Sequence, residues 1–391
     1  MVSRSKRGRK IKSETTSSDE PLPDIENIDP NGDLVLVVGA DLVGYGSSLF
    51  TAKKTVAFRV DYKALTRASS VFKAMFDANS DDYKPGASDA GWTEHLPVDS
   101  PTGLRFLFLV AHAEVSKLPE GHSFQQVYEI IHMAESYDMV PLLKISARSW
   151  FFTGRPDPAS LRGSFVRRTY FERSPFQRLP LQLTLSDQTN AETLLKAYTI
   201  GLSLGNRSLI NEVSKHIVQR SRIVDGHLWC EGKDLESFDL CFEVQWLEFW
   251  KASRRDILGG MVSSLKSFID QLQGTDWYTE YCPHHGGQNM KGKLCAALAL
   301  GSLIQGLAEK GDWPLPDPEN MDERTVRRVE ASWSSIDLNG FSDTVEPCIR
   351  DHDCDWSAVL KERIHEAAAK PCVFKPVWYQ QRVELLGLVD L

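Results

Sequence analysis

The pattern of hydrophobic and polar residues becomes typical of a globular fold from residue 31 onward. Leu34–Val38 is a continuous apolar run that follows the turn-forming residues Asn31-Gly32-Asp33, a pattern typical of a buried strand. Residues 55–62 predict a second strand, because apolar side chains there recur at every other position. The turn-rich connector between these two runs predicts a hairpin. The sequence His-Leu-Pro-Val-Asp at 95–99 predicts a short third strand.

Helical periodicity dominates the next eighty residues. Residues 63–78 predict a helix in two pieces, with Ser69 or Ser70 capping the second piece. Residues 100–115 are apolar on nearly all sides after a Ser-Pro entry, which indicates a buried helix. Residues 123–139 have apolar side chains in helical phase. Short strands that are followed mainly by helices predict an α+β fold.

Four of these stretches together resemble a BTB/POZ domain, in particular the BTB-like proteins of filamentous fungi. They read GDLVLVVG, FRVDYKALTRASSVFKAMF, HLPVDSPTGLRFLFLVAHAEVSKLP and VYEIIHMAESYDMVPLLK. The resemblance covers residues 29–153 and implies the BTB/POZ fold, a short-stranded sheet with helices. It also implies a module without catalytic activity that binds protein partners, with self-association as one form of binding.

Many BTB proteins are substrate adaptors of cullin-RING ubiquitin ligases, and the resemblance raises cullin as a partner. In those proteins a hydrophobic-x-Glu motif at the start of the third long helix helps to hold the cullin. Here that region reads SPTGLRFLF, with Arg105 close to the expected acid. The segment before Asp33 is rich in Pro and acidic residues, so the N-terminal helix of some BTB dimers is not expected. Cullin binding and dimerisation both stay open.

The N-terminal residues 1–28 predict a disordered tail, basic at first and then rich in Ser, Thr and acidic residues. The basic cluster is either a solvated tail or a nuclear import signal. No secretory signal and no apolar run long enough for a membrane span are present. The expected location is therefore intracellular, in the nucleus, the cytoplasm or both, and no membrane partner is expected.

Residues 154–189 predict an Arg-rich linker or insert with interleaved aromatic residues, and the Arg-rich stretch as a whole runs from Arg148 to Arg178. Arginine next to aromatic rings can bind phosphate and stacked bases. The same pattern also fits a linker or a docking loop for an acidic partner. The net charge of −8 argues against nucleic acid as a main partner.

Residues 190–391 predict a mainly α-helical C-terminal domain. Residues 190–219 predict a helix pair that Gly205 interrupts and Ser208 caps. Such a pair resembles the BACK-type extension that follows many BTB domains. Residues 243–272 predict a further helix, whose aromatic and aliphatic residues are expected to form core contacts rather than a ligand site.

The C-terminal domain also contains a candidate structural zinc site. The favoured ligands are Cys282, Cys295, His352 and Cys354, with His285 and Cys348 as substitutes. Zinc prefers thiolate and imidazole ligands, and four of them close a tetrahedral site. The fungal BTB-like proteins have a similar arrangement, which Cys295, His352 and Cys354 match. The alternative is a set of thiols without metal, whereas catalytic zinc is disfavoured because no His-Glu-x-x-His motif is present.

These patterns predict a non-enzymatic scaffold or adaptor that binds proteins through a BTB/POZ domain, with ligase adaptor as one form of this function. The alternative is a nuclear regulator that contacts chromatin or nucleic acid through the basic tail and the Arg-rich insert. A metal-dependent enzyme is a third and weaker hypothesis, because it would need an open zinc position beside a carboxylate.

Overall fold

A computed structural model describes residues 24–42, 55–76, 92–119, 121–144, 146, 150, 189–237, 244–274, 290–338 and 356–370. These residues belong to two compact units. The first unit comprises residues 1–120 and 129–142, and the second comprises residues 121–128 and 143–391. Strands and helices both occur, so the predicted α+β class is confirmed.

The first unit contains a four-stranded mixed sheet. Its strands are β1 (Ile25–Asn27), β2 (Leu34–Val38), β3 (Val56–Val60) and β4 (Trp92–Leu96), in the order β1-β3-β2-β4. Only β2 and β3 pair antiparallel, and the other two pairs are parallel. All five residues of β2 are buried. A strand that is covered on both faces needs apolar side chains at every position, which explains the continuous run in the sequence.

The helices of this unit are α1 (Tyr62–Ala68), α2 (Ser70–Met75), α3 (Pro101–Ala111) and α4 (Phe124–Ser136). The division between the two units falls inside α4. Short 3₁₀ turns lie at Val115–Lys117 and Val140–Leu143.

Serine side chains set the starts of two of these helices. The Ser69 hydroxyl accepts a hydrogen bond from the amide of Phe72 at 3.0 Å, so Ser69 is the cap of α2 among the two predicted candidates. Ser100 caps α3 in the same way by accepting from the amide of Gly103, directly before Pro101. Both caps satisfy amides that have no partner inside the helix.

Two differences from the sequence-based expectations occur in the sheet. The strand β1 lies inside the predicted disordered tail, where it pairs in parallel with β3 and is followed by the buried Ile28. The third predicted strand begins earlier, at Trp92, and ends before Pro97, which has no amide hydrogen for the ladder. Trp92 belongs to the strand because its ring packs on those of Tyr62 and Phe76.

The second unit contains the predicted helix pair, α5 (Ala191–Leu204) and α6 (Arg207–Arg220). Gly205 ends α5 in the left-handed conformation, with φ of 68°. The amides of Gly205 and Asn206 donate to the carbonyls of Leu202 and Gly201, which closes a Schellman motif. The cap of α6 is Asn206 and not the predicted Ser208, because the Asn206 side chain accepts from the amide of Leu209 at 3.0 Å.

A small antiparallel sheet follows that the sequence analysis did not predict. It consists of β5 (Ser221–Val224), β6 (His227–Cys230) and β7 (Lys233–Asp234), in sequence order. The turns between them are Asp225-Gly226 and Glu231-Gly232, and all four turn residues have positive φ. Asp-Gly between two short runs is a strong hairpin signal, so the turn was readable in the sequence.

The rest of the second unit is helical around one long helix. Its helices are α7 (Val244–Gln273), α8 (Met290–Glu309), α9 (Val326–Ser334) and α10 (Trp356–Ala368), with 3₁₀ turns at Leu235–Ser237 and Pro318–Met321. Phe249 of α7, also expected in the core, is only partly buried and packs against it. The other α7 residues that were expected to form core contacts are buried: Trp246, Trp250, Ile257, Met261, Leu265 and Phe268. They pack with side chains of α5, α6, α8, α9 and α10 in a single hydrophobic core.

Candidate functional site

Most of the predicted zinc ligands lie outside the described residues, namely Cys282, His285, Cys348, His352 and Cys354. Cys295 lies near the start of α8, and only its backbone is described. Within the described ranges, no group of three His, Cys, Asp or Glu side chains is placed to hold a metal. The zinc site therefore stays a prediction.

Two other predicted features also lie outside the described residues. They are the basic cluster within residues 1–23 and the Arg-rich segment within 151–188. Their roles in nuclear import or nucleic-acid binding therefore stay predictions. Of the helices in the described ranges, none is long and apolar enough to cross a membrane.

In the first unit, a buried carboxylate joins α3 to α4. The Ser100 hydroxyl, which is fully buried, donates to Glu129 Oε2 at 2.6 Å. The Tyr137 hydroxyl donates to the buried Asp99 at 2.7 Å. Gly103 allows α3 to approach closely, since a Cβ there would lie 2.6 Å from the Glu129 carbonyl oxygen. These polar groups hold the corner between β4 and α3 against α4.

His112 has hydrogen-bond partners at both ring nitrogens. Its Nε2 accepts from the amide of Asp61 at 2.9 Å, and its Nδ1 lies 2.8 Å from the carbonyl oxygen of Phe108. The Phe108 carbonyl oxygen can only accept, so Nδ1 carries the proton and Nε2 is left as the acceptor. His112 therefore ties the end of α3 to the start of α1.

Arg105 is paired with β1. Its Nε donates to Glu26 Oε1 at 2.7 Å, and both side chains are about one third exposed. A cation therefore lies close to the position at which the resemblance would place a cullin-binding acid. The ion pair also helps to hold residues 25–27 in a strand, although the sequence pattern predicts a disordered tail there.

In the second unit, a fully buried arginine clamps one turn of the chain. Arg254 of α7 donates to the carbonyl oxygens of Ser221, Met321, Asp322 and Arg324, and also to Asp322 Oδ1 at 3.1 Å. Burial lowers the pKa of the Arg254 guanidinium, and the Asp322 charge opposes that effect. Because all these acceptors belong to short loops and strand ends, the clamp fixes residues 321–324 in place.

Asp312 forms a second buried polar group beside this turn. Arg324 binds both Asp312 carboxylate oxygens, and Trp333 Nε1 donates to Oδ2 at 2.7 Å. Asp312 is the last residue of a Schellman motif that ends α8, and its amide donates to the carbonyl of Leu307 at 2.8 Å. Arg324 and Trp333 thus hold the carboxylate, which fixes Arg324 in turn.

An open cleft of about 470 Å³ adjoins these two networks, since Asp312 and Arg324 are among its lining residues. Four cationic and two anionic residues line it, together with Gly311 and Ser332: Arg222, Lys310, Arg324, Arg328, Asp312 and Glu323. We refer to it as the basic cleft. The Arg324–Asp312 pair is neutral as a whole, which leaves three cations against Glu323. The cleft therefore favours an anionic ligand.

The three remaining cations of the basic cleft are exposed, and they come from three different elements. Arg222 lies on β5, Lys310 follows α8 and Arg328 lies in the first turn of α9. No ion pair joins any of them to a carboxylate among the described residues, and Lys310 Nζ donates only to the Ser335 hydroxyl at 2.9 Å. Their charges are therefore available to a ligand.

The sequence pattern does not predict this cleft. One local signal was present, since Arg327 and Arg328 follow the cap Thr325 at a position where acidic residues are preferred. No local pattern predicts that Arg222, Lys310 and Arg328 line one cleft, because they are distant from one another in sequence.

No family model, curated protein or solved structure matches the chain. What the protein does therefore has to be inferred from its sequence pattern and from the geometry of the described residues. The resemblance to BTB/POZ domains rests on the four stretches quoted above.

Proposed function

We propose that the protein is a non-enzymatic scaffold or adaptor that binds other proteins through a BTB/POZ-type first unit. The observation that carries this proposal is the fold of the four stretches that resemble the family. They form, in order, β2, the segment β3-α1-α2, the corner from β4 to α3, and α4. The α+β layout of sheet and helices is the one that the resemblance implies.

The use of polar side chains in the first unit supports a binding role. In the interior Ser100 bonds to Glu129 and Tyr137 bonds to Asp99, and His112 bonds to backbone groups. Such contacts stabilise the positions of strands and helices. A rigid support of this kind is what a module with a binding surface requires, because recognition then needs little reordering of the chain.

The ligase form of the proposal depends on position 105. Arg105 pairs with Glu26, so a cullin that requires an acid there would meet a cation. We therefore propose the scaffold role as the general function and cullin binding as its narrower form. The two can be separated by experiment, because a charge exchange between Glu26 and Arg105 keeps the ion pair and supplies the acid.

The scaffold proposal is tested by affinity purification of the tagged full-length chain from its own cells. Gly103→Leu would force α3 from α4, because a Cβ at Gly103 already meets the Glu129 backbone. Gly301→Leu is the matched control, since a Cβ at Gly301 meets nothing within 4 Å. We expect the wild type and Gly301→Leu to recover the same defined partners, or a second copy of the chain, and Gly103→Leu to lose them. Equal recovery by all three would contradict a role for the first unit.

The cullin form is tested with the double variant Glu26→Arg, Arg105→Glu in the same purification. If the protein is a ligase adaptor, cullin and RING subunits should accompany the wild type, and the exchange should not weaken their recovery. If neither protein recovers a ligase subunit while other partners remain, the scaffold role stands without the cullin.

A further inference from the structure

We propose that the basic cleft of the second unit binds a phosphorylated serine or threonine presented by an extended segment of a partner protein. The proposal concerns a site that the resemblance does not assign. It rests on the proposed function only for the nature of the partner, a protein. The charge, the support and the shape of the cleft each carry one step of the inference.

The charge of the cleft matches a phosphate group. Arg222, Lys310 and Arg328 reach it from separate elements without a carboxylate partner among the described residues. A phosphomonoester carries nearly two negative charges at neutral pH and three acceptor oxygens. Three lining cations offer enough donors for all three oxygens, and one arginine can bind two of those oxygens with parallel hydrogen bonds. The Ser332 hydroxyl, one turn beyond Arg328 on α9, adds a donor to the same wall.

Buried polar contacts hold part of the cleft lining in place. Arg324, one of the lining residues, is held by both carboxylate oxygens of the buried Asp312, and Trp333 fixes that carboxylate. The turn that contains Arg324 is in turn fixed by Arg254. A charged site that is held rigid before the ligand arrives loses less entropy on binding.

The position of Arg328 is unfavourable for α9 alone. It is the third residue of the helix, where the helix dipole favours acidic side chains, and the first turn of α9 contains none. Residues that oppose a local preference are commonly found at functional sites. A bound anion would remove the conflict, because it would meet both the Arg328 charge and the positive end of the helix.

The shape of the cleft favours a peptide over a free phosphate ion. Its volume of about 470 Å³ exceeds the space that one phosphate group occupies and lies in the range of sites for larger ligands. Trp313, which follows Asp312 in the chain, is 40% exposed and is one of the few large apolar side chains on the surface of the described residues. Trp313 does not line the cleft, so the size of the cleft carries this step.

Nucleic acid fits the cleft less well. A strand of nucleic acid needs a continuous row of cations along several phosphates. Here Glu323 also lines the cleft, and its carboxylate would repel a second phosphate. The cleft therefore provides for one doubly charged group rather than for a polyanion.

The test uses the full-length chain and a degenerate peptide pool with a central phosphoserine. Matched pools carry unmodified serine or glutamate at that position. The peptides retained by the immobilised protein are counted by mass spectrometry, and the affinity of retained members is measured by fluorescence anisotropy. The variants are Arg328→Glu and Arg222→Glu. Arg255→Glu, an exposed arginine of α7 that does not line the cleft, is the control with the same change of charge.

We expect the phosphoserine pool to bind at least about tenfold more tightly than the serine pool, as charge-assisted hydrogen bonds imply. Each cleft variant should lose about tenfold or more, and Arg255→Glu should bind as the wild type does. Binding should also strengthen as the pH rises through about 6, where the phosphate gains its second charge. The glutamate pool should show no such pH dependence.

Four results would overturn the proposal. They are equal retention of the phosphoserine and serine pools, equal loss in Arg255→Glu, displacement of the peptides by inorganic phosphate at the same concentration, and tighter binding of oligouridine through Arg328. The third would leave a site for the free anion, and the fourth a site for nucleic acid. None of these results bears on the first unit, which the Gly103→Leu purification tests separately.

Discussion

Arg254 is a single buried side chain that fixes residues 321–324 of the second unit. Its guanidinium is fully buried and donates to four carbonyl oxygens and one carboxylate. A buried cation is costly unless its donors are satisfied, so the many acceptors explain why it is tolerated. Removing the cation leaves the same acceptors buried without a donor, and that loss is larger than the net gain from the original contacts.

The first prediction is that Arg254→Met destabilises the protein strongly. Methionine keeps the unbranched apolar stem and removes the guanidinium, so the loss should come mainly from the unpaired acceptors. We expect the free energy of unfolding to fall by about 3–5 kcal/mol, measured by urea denaturation followed by circular dichroism. The neighbouring Arg255 is exposed, and Arg255→Met should change it by less than about 0.5 kcal/mol. Similar effects of the two substitutions would show that the clamp is dispensable.

Cys230 is the residue whose protonation should respond to alkaline pH. It is fully buried on β6, and burial raises the pKa of its thiol to about 11, with a smaller opposing effect of Arg220. On unfolding, the thiol returns to its ordinary pKa of 9.0. Between these two values the unfolded chain has lost a proton that the folded chain still holds. Stability therefore falls as the pH rises through this window.

The second prediction concerns this proton. The thiol should lower the free energy of unfolding by up to about 3 kcal/mol at the top of the window. Urea denaturation at several alkaline pH values measures it, with Cys230→Ala as the control that lacks the thiol. The wild type should lose stability more steeply with pH than Cys230→Ala. Parallel curves would mean that the thiol is not protected by burial.

At the scale of elements, helical glycines differ according to what faces them. Gly103 of α3 packs against the backbone of α4, and a Cβ there would lie 2.6 Å from both the Glu129 carbonyl oxygen and Met133 Cγ. Gly260 of α7 faces open space. The first glycine serves the close approach of two helices, whereas the second only weakens its own helix.

The third prediction is that alanine has opposite effects at these two positions. Gly103→Ala should lower the free energy of unfolding by about 1–3 kcal/mol, because the backbone of α4 has to move. Gly260→Ala should raise it by about 0.5–1 kcal/mol, because alanine favours the helix and no contact is disturbed. Thermal and urea unfolding measure both. Destabilisation by Gly260→Ala would indicate a contact at that position.

At the scale of the whole molecule, the predicted zinc site would link parts of the chain that are distant in sequence. Its candidate ligands are Cys282 and Cys295 on one side and His352 and Cys354 on the other. A metal that closes such a long loop stabilises the fold by reducing the entropy of the unfolded chain.

The fourth prediction concerns this zinc site. Purified protein should contain about one zinc ion per chain by elemental analysis, as one tetrahedral site implies. Cys354→Ser should lose the metal and lower the melting temperature, and a strong chelator should have the same effect on the wild type. Cys230→Ala should keep the metal, since Cys230 is buried in β6 and is not a candidate ligand. Metal-free wild-type protein with an unchanged melting temperature would contradict the site.

Much of the local structure follows from short-range pattern. The apolar run of β2, the left-handed Gly205 and the caps next to Pro101 and before Phe72 were all readable from adjacent residues. The hairpin at Asp225-Gly226 was readable too, but the helical pattern on both sides obscured it. The strand β1 was not readable, because its three residues are stabilised by β3 and Arg105 rather than by their own propensity.

The sequence alone determined the class of fold, the strands β2 and β3 and the long helices, because hydrophobic periodicity is a local property that packing then satisfies. Only the tertiary structure decided the clamp of Arg254 and the basic cleft. Their groups come from β5, α7, the end of α8 and the start of α9, which long-range packing brings together. No local pattern predicts these contacts, since an arginine in a sequence is normally expected to be exposed to solvent.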